Sequence, residues 1–222
     1  MSIKNEQYFT PENFTIALLQ HVPVLAAKVF EPSSGDGSIA KTLERYENTV
    51  ITNDIDDDLP ADFHFDATYR DVWKMAGEGI DWVVTNPPFS AAHHFMKLGY
   101  EHAKVGVALL LRLSFLEPCD GRDSFLALNP PHKIIVLPRY SFTQDGHSDS
   151  VTCAWMIWFK EPHKHSIEKP ISVVPREWLG MLGARKASTP HKKKKKEEVA
   201  QLGFSGVINP INTEVEQNDQ NN

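Results

Sequence analysis

The sequence predicts an α/β fold, and three observations predict it. Short apolar, often β-branched runs alternate with segments of helical spacing, the pattern of a sheet covered by helices. The first four of these runs end in Glu-Pro ahead of a glycine turn, in Asp, or in Asn-Pro, the residue types that open sheets carry where their strands meet ligand. The 222 residues suffice for one good-sized core and a small appendage, not for two ordinary domains.

Element by element, Thr10-Pro11-Glu12-Asn13 predicts a helix start, with Thr10 as cap and Pro11 at the first helical position. Phe14, Ile16, Leu18, Leu19, Val22 and Leu25 continue that helix, bent or ended near Pro23. Ala26 to Phe30 is a short strand that runs into Glu31-Pro32-Ser33-Ser34-Gly35-Asp36-Gly37-Ser38, and Ile39 to Tyr46 has helical spacing. Thr49 to Asn53 is the second strand, ending at Asp54. Asp62 to Phe65 reads as a third, ending at Asp66, and Asp81 to Thr85 as a fourth, ending at Asn86-Pro87-Pro88-Phe89. Ala91 to Ala103 reads as helix, Gly106 to Leu111 as a buried strand, and Ile134–Leu137 and Thr152–Phe159 as two more, joined by the polar loop 141–150.

From about residue 184 the composition changes to a run of five lysines, Lys192 to Lys196, and then a Glu/Gln/Asn/Asp-rich end. That stretch, 184–222, buries too little to offset its ordering entropy and is expected to be a disordered basic-then-polar tail behind a folded domain of residues 1–180.

Composition narrows the function. Hydrophobic residues at 41% and charged residues at 23% exclude collagen-like, coiled-coil and wholly disordered chains. A net charge of −6 argues against a protein that coats nucleic acid over its whole surface, while leaving room for a local basic patch. Cys119 and Cys153 form no CxxC pair, and the histidines, His93-His94 and His163-x-His165 among them, form no HExxH set, so neither a disulfide framework nor a metal site is expected. The N-terminal residues lack the apolar stretch of a signal peptide, and Val105 to Leu111 falls well short of a membrane span, so a cytoplasmic protein without membrane contact is expected.

Three strand ends carry chemistry. Gly35 and Gly37 let the first turn bend sharply and approach a ligand closely, but the turn is not GxGxxG and no Lys-Ser/Thr follows, which excludes a P-loop. Glu31 repels a pyrophosphate and suits an ammonium or sulfonium group; on this loop alone, an ordinary glycine turn stands equally open. Asp54, about 20 residues after the glycine turn, occupies the place where doubly wound folds put a ribose-binding acid. The other acids of 54–58 also read as a solvated turn. Asp66 offers an acceptor to an adenine amino group. In Asn86-Pro87-Pro88-Phe89 two prolines remove two N–H donors, so the turn presents acceptors only. Two acceptors on the hydrogens of a conjugated NH2 group orient its lone pair, and Phe89 offers a flat face for stacking.

Thr10-Pro11, Glu-Pro-x-x-Gly-x-Gly at 31–37, Asp54, Asp66 and Asn-Pro-Pro-Phe, in this order and at these separations, resemble the S-adenosylmethionine-dependent amino-methyltransferases, particularly the DNA adenine-N6 branch. The resemblance covers about residues 8–160. It implies a Rossmann-like class I methyltransferase, a seven-stranded, mostly parallel sheet with an antiparallel last strand and helices on both faces. It implies S-adenosylmethionine as cofactor, with Thr10, Pro11, Glu31, Pro32, Gly35 and Gly37 around its methionine and sugar, Asp54 and Ile55 at the ribose, and Asp66 and Ala67 at the adenine. Asn86, Pro87, Pro88 and Phe89 would be catalytic, Asn86 also bordering the cofactor. The chain departs from the family at Asp54, where Glu is more usual.

The acceptor implied is adenine N6 in DNA. Adenine in RNA, cytosine N4 and a protein glutamine amide share the NH2 geometry, although a glutamine substrate favours Tyr over Phe at position 89. A nucleoside-binding module with a degenerate site is the non-enzymatic alternative. No Pro-Cys motif occurs, so direct attack without a covalent intermediate is expected. A base in duplex DNA must leave the stack, at a cost of about a few kcal/mol. Phe142 is a candidate second wall for it, and Arg112, Arg122, Lys133, Arg139, Arg185, Lys186 and the lysine run are candidates for backbone phosphates. With no room for a separate target-recognition domain, specificity falls to short loops, the tail or a partner. Trp155 and Trp158 read as core.

Overall fold

A computed structural model of the protein describes residues 8–117, 123–139, 151–160 and 170–174. Helix α1 (Glu12–His21) precedes β1 (Lys28–Glu31), α2 (Ser38–Glu44), β2 (Thr49–Thr52), α3 (Arg70–Met75), β3 (Trp82–Thr85), α4 (Ala92–His102) and β4 (Gly106–Arg112). A 3-10 turn (Leu113–Leu116), α5 (Asp123–Leu128), β5 (Lys133–Val136), β6 (Cys153–Phe159) and β7 (Ile171–Val173) complete the order. Among the described residues no helix is long and apolar enough to cross a membrane.

The seven strands form one sheet in the order β2-β1-β3-β4-β6-β5-β7. Strands β1 to β4 are parallel, whereas β6 runs antiparallel to both β4 and β5, as the hairpin reading required. A further short strand, β7, follows β6 in sequence and lies parallel to β5 at the sheet edge. Strand alternation sends side chains to two faces. Val29, Val84, Ala108, Leu110 and Trp155 pack with Phe14 and Leu18 of α1 and Ile39 and Leu43 of α2 on one face. Phe30, Val83, Leu109, Leu111 and Trp158 pack with Trp73 of α3 and Phe95 and Met96 of α4 on the other. Helices therefore cover both faces. Trp155 and Trp158 are fully buried, and each indole N–H finds a carbonyl: Trp155 donates to Phe14 at 2.7 Å, Trp158 to Asn129 at 2.9 Å.

Two expectations fail. Thr10 does not cap α1: the helix begins after an extended Pro11, with no side-chain cap, because the Thr10 hydroxyl accepts from Asn86 instead. The strand expected at 62–65 reduces to a single bridge between Asn53 and Phe63. Its ladder is cut short because the Asp62 carboxylate takes the Thr52 N–H (2.8 Å) and hydroxyl (3.0 Å) that would otherwise continue the pairing. Asp66 accordingly ends no strand. Its Oδ1 accepts from the Thr68 N–H at 2.9 Å and hydroxyl at 2.7 Å and shapes the approach to α3.

Candidate active site

The first turn is set by two glycines in the left-handed region, Gly35 (φ +56°) and Gly37 (φ +75°), where a side chain would be strained. The Asp54 carboxylate ties this turn to the second strand. Its Oδ2 accepts from the Gly35 N–H at 2.8 Å, and its Oδ1 from the Asp56 N–H at 3.0 Å. Asn53, fully buried, braces the same junction: its amide donates to the Pro32 and Phe65 carbonyls, each at 3.0 Å, and its oxygen accepts from the Phe65 N–H at 3.1 Å. Thr85, at the end of β3, donates to the Ser33 carbonyl at 3.1 Å.

Glu31, the last residue of β1, is fully buried, and neither carboxylate oxygen has a hydrogen-bond partner. Burial pushes its carboxyl well above the ordinary value of 4.5; the nearby Ala40 backbone N–H works against this, and the Asp36, Asp54 and Glu44 carboxylates add to the rise. An orphaned acid at a strand end calls for a cationic partner.

A small cleft of about 20 Å³, open to solvent, adjoins this junction. It is lined in part by Pro32, Ile55, Phe65, Asp66, Ala67 and Pro88, so five of the residues singled out in the sequence converge on one space. Among the described residues Asp66 Oδ2 makes no hydrogen bond there.

Asn86 follows β3, two residues before Pro88 of the cleft lining. Its side-chain nitrogen donates to the Tyr8 carbonyl at 2.9 Å and to the Thr10 hydroxyl at 3.1 Å. A main-chain carbonyl can only accept, so the amide has one orientation, with Oδ1 turned away from the N-terminal segment. The Pro88 and Phe89 carbonyls accept from the Ala91 and Ala92 N–H groups, whereas the Pro87 carbonyl takes no backbone hydrogen bond among the described residues. Two acceptors, Asn86 Oδ1 and the Pro87 carbonyl, thus remain unspent in the turn. Phe89 is half-buried; the Tyr8 ring lies 5.8 Å from it, tilted by 31°, and the Arg112 guanidinium carbon lies 4.3 Å from its centroid.

Of the remaining candidates, Arg139 is exposed, three residues beyond β5 and on the side of the sheet where β1 to β4 end. Lys133 is buried in β5, paired with Ile157 of β6, and so is withdrawn from the phosphate-contacting set. Phe142, Arg122, Arg185, Lys186 and the lysine run lie outside the described residues. Sequence reasoning missed Tyr8, Asn53 and Thr85. A buried polar residue at the end of an apolar strand was the available signal for the last two; Tyr8 acts through its carbonyl, which leaves no mark on residue type.

No family model and no curated protein matches the sequence. Solved structures do. A candidate class I S-adenosylmethionine-dependent methyltransferase from Listeria monocytogenes superposes with a TM-score of 0.55 at 14% identity, covering 78% of this chain and 67% of that one. A candidate RNA methyltransferase from Pyrococcus horikoshii gives 0.53 at 13% identity, over 72% of this chain and 89% of that one. A dimethyladenosine transferase from Plasmodium falciparum gives 0.50 at 16% identity, over 69% and 63%. The chain has the class I methyltransferase fold. Within that fold the cleft and the Asn86 turn sit where the parallel strands end, the position at which open α/β sheets bind ligands.

Proposed function

We propose that the protein transfers a methyl group from S-adenosylmethionine to an exocyclic amino group, adenine N6 in DNA. The orientation of Asn86 carries this reading, because it leaves an acceptor pair just past β3, the strand paired with the one that ends in an orphaned buried acid.

The residues fit the cofactor. Glu31 supplies an unpaired buried carboxylate for its cationic methionine end, Gly35 and Gly37 allow close backbone approach, and Asp54, already fixed by two N–H groups, retains lone pairs for ribose hydroxyls. Asp66, Ala67, Ile55 and Pro32 line the small cleft that opens beside them, where Asp66 offers an acceptor to the cofactor's adenine. Thr10 and Pro11 reach the site through the bond from Asn86. Bound there, S-adenosylmethionine supplies an electrophilic methyl group.

The chain's own residues then act on the acceptor. Asn86 Oδ1 and the Pro87 carbonyl accept the two N–H bonds of the amino group, turning its lone pair out of conjugation with the ring. As positive charge develops on that nitrogen, both acceptor bonds strengthen, which lowers the barrier more than it lowers the ground state. Pro88 keeps the turn rigid and free of a competing N–H donor. Phe89 provides an apolar face beside the reacting ring, Arg112 stands over that face, and Arg139 is exposed past the same end of the sheet, both for the phosphates of an extruded nucleotide. The order of motifs favours adenine in DNA among the NH2 acceptors.

The test is incubation with methyl-labelled cofactor and, separately, unmethylated DNA, tRNA or rRNA, and protein extract, followed by digestion and chromatography. Label in N6-methyladenine from DNA is expected. Label in RNA alone moves the reading to RNA adenine, and label in N4-methylcytosine moves it to cytosine. Label confined to protein overturns the nucleic-acid reading. Cofactor binding without label in any acceptor makes the protein a binding module.

A further inference from the structure

Arg112 ends β4, three residues past Leu109, which pairs with Thr85 at the end of β3; Phe89 lies four residues past Thr85. The two side chains thus leave neighbouring parallel strands at the same height, and the guanidinium comes to rest over the Phe89 ring, 4.3 Å from its centroid. The placement is fixed from below. Arg112 pairs with Cys153 of the antiparallel β6, and the next N–H, that of Leu113, donates to the Thr152 carbonyl at 3.0 Å. The arginine is half-buried, yet no described carboxylate pairs with it: the ion pairs among the described residues involve Arg45, Arg70 and Lys74. Contact with a ring consumes none of the five guanidinium N–H donors. A partly desolvated cation held on the aromatic wall of an amino-acceptor turn, with its donors unspent, is matched to an anion that arrives with the acceptor.

Resting on the methyl-transfer reading above, we propose that Arg112 is the residue by which this site selects a phosphate-bearing acceptor, its guanidinium held on Phe89 so that it meets a phosphate flanking the base whose amino group reaches Asn86 and Pro87. A nucleotide satisfies both ends of this arrangement; a protein glutamine satisfies only the amide end. The other anion that could come near is the carboxylate of the cofactor's methionine. That is disfavoured because the orphaned Glu31 marks the cofactor's place at the end of β1, whereas Arg112 is held on the acceptor turn.

The experiment compares the wild-type protein with Arg112→Ala and Arg112→Lys, using a duplex DNA fragment that the wild type labels. Steady-state methylation is measured across a salt series, cofactor binding by calorimetry, and folding by thermal melts. For Arg112→Ala the expected result is a KM for DNA raised about ten- to a hundredfold, a log–log salt dependence shallower by about 1, and an unchanged cofactor Kd. Arg112→Lys should keep the wild-type salt slope with an intermediate KM, because it retains the charge and loses the planar fork. It also serves as the folded control should the alanine variant melt early. Unchanged KM and slope in a folded Arg112→Ala overturn the proposal and leave methyl transfer standing. A raised cofactor Kd also overturns it, assigning the guanidinium to the cofactor's carboxylate. A wild type that labels no nucleic acid overturns the nucleic-acid reading first and this proposal with it.

Discussion

Replacing Thr10 with Val tests the reading of the Asn86 amide most directly. Thr10 is 6% exposed, and its hydroxyl receives the second Asn86 N–H at 3.1 Å, while the first stays on the Tyr8 carbonyl at 2.9 Å. Valine nearly preserves the shape and removes one neutral hydrogen bond, worth about 1 kcal/mol net. It also leaves one N–H unpaired on a residue that is only half-buried, so solvent recovers part of the loss. A destabilisation of about 1–1.5 kcal/mol follows, or about 2–6 °C in Tm for a domain of this size. The same loss of restraint frees the amide to rotate, and 1 kcal/mol of orientation amounts to about fivefold in population. kcat should therefore fall about five- to tenfold, with cofactor Kd within about twofold of wild type. Thr10→Ser should restore most of both. Asn86→Ala, which deletes an acceptor outright, should cost about a hundred- to a thousandfold in kcat. Single-turnover methylation at saturating cofactor, with cofactor Kd from calorimetry, reads both quantities. A folded Thr10→Val protein whose saturated rate is unchanged would refute the argument, because the Thr10 hydroxyl would then have no part in orienting the amide.

Two further outcomes follow from buried positions. Because burial raises the Glu31 carboxyl above 4.5, its contribution to stability is fully present below that range and is lost as the pH climbs through the raised folded value. Glu31→Gln should flatten that fall in thermal melts between pH 4 and 8 while sharply weakening cofactor binding; a wild-type pH dependence retained in the variant would remove Glu31 as its source. At Gly106 an added Cβ would lie 2.6 Å from a Trp82 ring carbon and 2.8 Å from the Trp158 carbonyl oxygen, so both a packed ring and backbone must give way. Gly106→Ala should cost about 3 kcal/mol, about 6–12 °C in Tm, and a loss under about 1 kcal/mol would show that the strand junction is more compliant than its geometry indicates.

The strand ends were legible because their chemistry is local. Only glycine sits comfortably at the φ of Gly35 and Gly37, and only a Pro-Pro pair strips two donors from one turn, so the residue types announce the backbone. The same holds for the alternation in β4 and β6, where apolar side chains on both faces require helices above and below. Local logic misled at Asp62. Its segment alternates like a strand, but a carboxylate can satisfy a neighbouring N–H as well as a strand can, and here it takes both donors of Thr52. The short α3 was equally hidden: its entry is shaped by Asp66 binding Thr68, and it is held down by Trp73, whose indole N–H reaches the Ala67 carbonyl at 2.8 Å.

Thr10 shows why the rest of the site could not be read. Thr-Pro-Glu satisfies every local rule for a helix cap, yet the hydroxyl is used 76 residues away, and the Tyr8 carbonyl 78 residues away, both on Asn86. No spacing rule reaches that far, and a main-chain carbonyl has no side chain to betray it. The consequence is chemical as well as topological. The two donors of Asn86 are spent on the N-terminal segment, so the polarity of the acceptor turn depends on that segment being docked. The Thr-Pro motif and the Asn-Pro-Pro-Phe motif, separate in the sequence, are therefore parts of one device: the first holds the amide of the second in the single orientation in which its oxygen can receive an amino group.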